Sequence, residues 1–126
     1  MAVKDVKELT VYDKAYQVAM EFFEISKSFP AEERYALTSQ GRRSSRSVCH
    51  NLWEAWAKRR YEAHFVSKLS ACIGENSETD TAFDFARDCG YISNEVHTQL
   101  TALNSEIGKM LRSMHEHPEK FLTPSA

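Results

Sequence analysis

Residues 40–51 read QGRRSSRSVCHN, an arginine-rich and serine-rich stretch with almost no apolar content. Arginine carries a planar fork of five donors that matches phosphate or carboxylate oxygens. On a helix, Arg42, Arg43, Arg46, His50 and Trp53 share one side, because residues three and four apart are neighbours. Trp53 adds a ring on which a base could stack. Three readings fit this face: a solvated surface, a set of ion pairs to carboxylates of a neighbouring subunit, or a grip on a phosphate backbone. Lys58, Arg59 and Arg60 carry the positive charge around the next turn. The whole chain has a net charge of −2 and a pI near 6.2. A dedicated non-specific nucleic-acid binder is far more basic. Any such binding must come from this local patch, multiplied by assembly.

Other chemistry is sparse. The five histidines, His50, His64, His97, His115 and His117, form no pair at i,i+4, and there is no Glu-x-x-His. No metal site is expected, since helical di-metal sites draw on that motif. The four glycines are isolated, so no phosphate-cradling glycine loop exists, and no cofactor is expected. Cys49 adjoins His50, but neighbours on a helix diverge by about 100°, which leaves Cys49 an ordinary thiol. Glu75, Glu78, Asp80, Asp84 and Asp88 are scattered around a later helix. They read as a solvated surface, or as electrostatic partners of the arginine face within or between subunits. No catalytic residues are expected.

The elements that position these residues follow from 126 residues of ordinary globular composition, 42% hydrophobic and 27% charged. One domain is expected: an arm over 1–9, an all-α antiparallel up-down four-helix bundle over 10–117, and a tail over 118–126. The first helix, 10–28, buries Val11, Ala15, Val18, Phe22, Ile25 and Phe29. Tyr12, Tyr16, Met20 and Phe23 form a second apolar strip beside them, which suggests a subunit interface. Half-exposed tyrosines with wet hydroxyls are the plainer alternative. The second helix is expected to start at Pro30 and run to 58, with a seam of small residues, Gly41, Ser44 and Val48 among them, that admits a close neighbour. The third, 61–89, buries Phe65, Leu69, Cys72, Phe83 and Ala86 with Asn76 among them, where the amide needs partners and is suited to fixing register. Gly90 marks its end. Ser93 caps the fourth, whose Val96, Leu100, Leu103, Ile107, Met110 and Met114 follow a 4-3-4-3-4 spacing.

Three cysteines without paired spacing point to reduced thiols and a cytoplasmic setting. The opening MAVKDVKEL has no apolar signal core, and no apolar run is long enough for a membrane span.

The runs VYDKAYQVA, FPAEERYALTSQGRRSSRSVCHNLWEA and CGYI together resemble the bacterial four-helix-bundle proteins of the 23S rRNA-intervening-sequence type. Lys14-Ala15, Phe29-Pro30, Glu33, Leu37-Thr38, Gln40, Arg42-Arg43, Ser47, Asn51 and Glu54 match that pattern in order, within a likeness spanning about residues 10–115. Cys49 stands where the family has proline, Trp53 where it has a small residue, Ala55 where it has glycine, and Arg59 where it has a capping Ser or Thr. Without the proline, the second helix should be less kinked. The resemblance implies a homopentamer without established catalytic residues. It also implies kinship to accessory proteins of diversity-generating retroelements, which form pentamers that bind nucleic acid and a reverse transcriptase. The expected function is a non-enzymatic, self-associating scaffold or adaptor, touching RNA or a ribonucleoprotein through Arg42, Arg43 and Arg46. The alternatives are a protein-interaction module without nucleic acid and a small-molecule binder with a pocket between subunits.

Overall fold

The computed structural model describes residues 5–123; the outer parts of the expected arm and tail, 1–4 and 124–126, lie outside them. Four helices follow in order: α1 (Thr10–Ser26), α2 (Leu37–Ala57), α3 (Glu62–Asp88) and α4 (Asn94–Glu116). Each packs on the next and α4 closes against α1, which is the antiparallel bundle read from the periodicity. Short 3-10 turns at Val6–Glu8, Ala31–Glu33 and Pro118–Lys120 flank them.

The second helix begins later than the sequence reading placed it. Pro30 has an extended ψ of 153° and opens only the 3-10 turn. After a break at Ala36 (φ −122°, ψ −107°), α2 starts at Leu37. From there it runs to Ala57 without interruption, in keeping with Cys49 replacing proline.

The α1–α2 contact is built on one hole and one ring. Phe22 is fully buried and lies over Gly41, where an added Cβ would sit 1.9–2.5 Å from its ring atoms. The same ring meets Phe29 at 5.9 Å, edge to face, and Phe83 of α3 at 5.7 Å. Phe22 thus joins three helices through one small-residue notch.

A polar layer crosses the bundle at mid-height. Asn76 Nδ2 donates to the Asn104 carbonyl (3.2 Å) and to Asn104 Oδ1 (2.9 Å), while Asn104 Nδ2 donates back to the Asn76 carbonyl (3.1 Å). Thr79 and Ser44 bring their hydroxyls to 2.9 Å, and Ser45 donates to the Gly41 carbonyl at 2.7 Å. The asparagine bonds lock α3 to α4, the Thr79–Ser44 bond ties α3 to α2, and all of them satisfy groups that would otherwise be costly to bury. They also rotate α4 relative to its apolar spacing. Its buried face is Leu100, Asn104, Ile107, Gly108, Leu111 and Met114, and Val96, Leu103 and Met110 are only half-buried.

Loop chemistry closes the ends. Gly90 takes φ 80°. Tyr91 N–H then donates to the Ala86 carbonyl (2.8 Å) and Gly90 N–H to the Arg87 carbonyl (2.9 Å), the glycine-terminated C-cap. Tyr91 packs tilted against Phe29 (ring centres 5.2 Å apart) and donates its hydroxyl to Glu33 Oε2 (2.7 Å), tying the two loops at that end. Ser93 Oγ accepts from Val96 N–H at 3.1 Å, capping α4. From the expected arm Val6 is buried, and from the tail Phe121 stacks on Phe65 at 6.3 Å.

Replacing Gly41 by Ala should destabilise the protein by about 1–3 kcal/mol. The overpacking term outweighs the roughly 1 kcal/mol that Ala gains in a helix. Thermal unfolding of Gly41→Ala is the check, and adding Phe22→Leu to it should recover part of the loss.

Candidate nucleic-acid interface

The outward side of α2 forms a groove of about 530 Å³ lined by Arg34, Tyr35, Thr38, Ser39, Arg42, Arg43, Arg46, Ser47 and His50. Five side chains there can be cationic, four carry hydroxyls, and none is a carboxylate. The spacing of Arg42, Arg46 and His50 puts one basic group on each turn of this flank, about 6 Å apart along the axis.

The arginines are held differently. Arg42 Nε donates to Ser26 Oγ at 2.8 Å, and its guanidinium lies 4.8 Å from the Phe23 ring centre. Arg46 approaches the same ring at 5.8 Å and Lys27 at 4.7 Å. Phe23 is therefore half-buried under three cations, each attracted to the negative face of its π-system. This arrangement follows from Phe22: with Phe22 seated inward, its successor points about 100° away, towards the arginines of α2. Arg43 instead reaches α3, 3.4 Å from Glu75 and 3.5 Å from Glu78. Burial and the adjacent Glu78 carboxylate raise the Glu75 pKa, with Arg43 opposing them. The complementarity between basic α2 and acidic α3 thus exists within one chain at Arg43. The Arg43 side chain is itself 58% exposed, so solvent screening holds the pair to about 0–1 kcal/mol.

Beside this groove runs an aromatic patch. Tyr12 lies 6.2 Å from Tyr16 and meets Trp53 edge-on at 6.4 Å. Lys7 Nζ sits 6.0 Å from the Trp53 ring. Tyr16 (54%), Met20 (44%) and Trp53 (41%) are exposed, whereas Tyr12 and Phe23 are half-buried against α2. Of the four residues in the strip, two face solvent and two seal the α1–α2 groove. Trp53 belongs to this aromatic patch rather than to the lining of the basic groove.

The remaining reactive groups are otherwise engaged. Cys49 and Cys72 are buried, and burial pushes their thiols up to about 11 and about 12. Cys72 Sγ also donates to the Val48 carbonyl at 3.6 Å. His97 bridges α3 and α4. Arg87 can only donate to its Nδ1 (3.3 Å), so its Nε2–H donates to Asp84 (2.7 Å). Ser70 and His115 meet at 3.0 Å, with no carboxylate bonded to His115 among the described residues. Among the described residues no three His, Cys, Asp or Glu side chains gather as a metal-ligand set, and no helix is long and apolar enough to cross a membrane.

Comparison with known proteins sets this geometry in a family. The profile described as 23S rRNA-intervening sequence protein matches residues 7–113. The chain belongs to this family. A similar solved structure is that of a protein with unknown function from the S23 ribosomal protein family of Bacteroides thetaiotaomicron. It is 26% identical with a TM-score of 0.75, over 84% of this chain and 95% of that one. No curated protein matches. As a family member, the chain is a small helical protein of unknown function.

The thiols give a direct check on this packing. One cysteine, Cys89, should react rapidly with a thiol reagent in the native protein, and Cys49 and Cys72 only on unfolding. Their folded pKa values lie above the ordinary thiol value of 9.0, so the folded state holds those protons more tightly. Stability should therefore be intact below pH 9 and fall as pH rises towards about 11–12, which alkaline denaturation would measure.

Proposed function

We propose that this chain is a non-enzymatic, self-associating adaptor of the cytoplasm that contacts RNA phosphates through the groove on α2. The observation that carries the reading is the lining of that groove. Arg34, Arg42, Arg43, Arg46 and His50 converge there without a carboxylate in a chain of net charge −2. Such local segregation of charge is the footprint of polyanion binding. Arg42 and Arg46 are preorganised on Phe23, and ordering side chains beforehand lowers the cost of binding. Family membership supports an RNA connection through its name alone.

The exposed Tyr16, Met20 and Trp53 supply the aromatic and thioether groups that interface cores favour. The resemblance to pentameric bundles suggests a ring of five. A ring would repeat the groove around its circumference, so that weak individual grips add by avidity. A pure protein-interaction role with arginines paired across subunits is less favoured, since Arg43 already meets Glu75 and Glu78 of its own chain.

Light scattering should give a solution mass near five times the 14.5 kDa chain, and Tyr16→Glu should lower it. A stable monomer would overturn the assembly. RNA affinity should fall steeply with salt, the slope of log K against log salt losing about 0.7–0.9 for each phosphate contact removed. Changing Arg42, Arg43 and Arg46 together to Glu should abolish that binding, and unchanged binding would remove the groove from the function. Phe23→Leu keeps every charge but loses the ring. It should weaken binding about 2–5-fold with the salt slope unchanged, corresponding to a cation–π contribution of roughly 0.5–1 kcal/mol. Phe23→Trp should restore affinity.

A further inference from the structure

A second hollow, of about 360 Å³, lies on the far side of the bundle between α3 and α4, lined by polar residues that include Asn76, Asp80, Asn104, Gly108 and Arg112. Its floor is the asparagine pair. Both amide hydrogens of Asn76 Nδ2 are taken by Asn104, which fixes the orientation of the amide and turns Oδ1 the other way. Asn76 is only 7% exposed, and its Oδ1 accepts no hydrogen bond from the described residues. It faces Gly108, where a Cβ would stand 2.9 Å from it. That same point is 3.3 Å from an Arg112 guanidinium nitrogen. The missing side chain of Gly108 thus leaves a space with an unpartnered acceptor that opens into the hollow on one side and a cation on the other. Asp80, 3.5 Å from Asn104 Nδ2, adds an anion to the rim. Among the described residues, neither Asp80 nor Arg112 forms an ion pair, although the two share one hollow.

We infer that this hollow binds a small zwitterion, in particular a free α-amino acid. Its ammonium group would donate to Asn76 Oδ1 and the Asp80 carboxylate, and its carboxylate would take the Arg112 fork, a pairing suited to planar oxygen pairs. A ligand carrying only one charge satisfies half the site. A phosphate would meet Asp80 and the Asn76 oxygen, both of which repel it. The Ser77 hydroxyl at the rim suits polar side chains on the ligand. The site is independent of the α2 groove and of the RNA reading.

The test is calorimetric titration of the full-length protein with each of the twenty standard amino acids, with methylamine, acetate and inorganic phosphate as controls. At least one amino acid should bind with a dissociation constant of about 1 mM or tighter, and none of the controls should. Arg112 is exposed, so Arg112→Gln should leave the unliganded melting temperature unchanged and weaken the amino acid at least about tenfold. Asp80→Asn should weaken it similarly. Absence of binding by all twenty would overturn the inference. So would binding that survives both substitutions, or a control that binds as tightly as the amino acid.

Discussion

Everything on the α1–α2 side depends on the seat of Phe22 over Gly41. A ring cannot occupy that place if α2 carries any side chain there, and the two helices cannot approach so closely without the notch. The fit sets their rotation as well as their distance. It turns Phe23 towards the arginine side of α2 and brings Ser26 within reach of Arg42. A surface feature, the ordered arginine pair, is thus the outer consequence of a core contact one residue away. Core and candidate interface are not separable parts of this molecule, and a change at Gly41 would be felt at both.

The α3–α4 side is organised on a different principle. There the asparagine pair replaces apolar interdigitation, and specificity of register takes precedence over area buried. Reciprocal amide bonds tolerate no slip along the helix axis, since a one-residue shift would strand both amides. The neighbouring Ser44–Thr79 contact extends the same constraint to α2. A bundle with small and polar residues at its waist and aromatic residues above and below it has little freedom to choose another alignment.

Much of this was legible in the residues. Phe22, Leu69, Cys72 and Phe83 reveal themselves by spacing, Gly90 and Ser93 by the chemistry that only a glycine or a short hydroxyl side chain supplies, and Gly41 by its place in a seam of small residues. The start of α2 was not legible: Pro30 suits the first turn of a helix, and nothing local says that the turn will be 3-10 and end at Ala36. The face of α4 was misjudged because an apolar periodicity gives no weight to Asn104 and Gly108, whose burial is decided by Asn76 on another helix. For the candidate interface, helical spacing brought Arg42, Arg46 and His50 together. The stacking on Phe23, the bond to Ser26 and the capture of Arg43 by Glu75 and Glu78 depend on which helix lies alongside. Arg34 and Tyr35, in the break before α2, join the groove for a reason that no helical wheel contains.

The segregation of arginines to α2 and carboxylates to α3 gives the bundle a transverse electric polarity despite its small net charge. Two such bodies related by a two-fold axis can set the α2 flank of each against the α3 flank of the other, and the contact then ends at two copies. Related by a simple rotation about a common centre, each copy instead meets its two neighbours through two different flanks. Such head-to-tail contacts either close into a ring or continue without end. Closure would then be decided by the angle between those flanks, a quantity already set inside each chain by how the helices pack on one another.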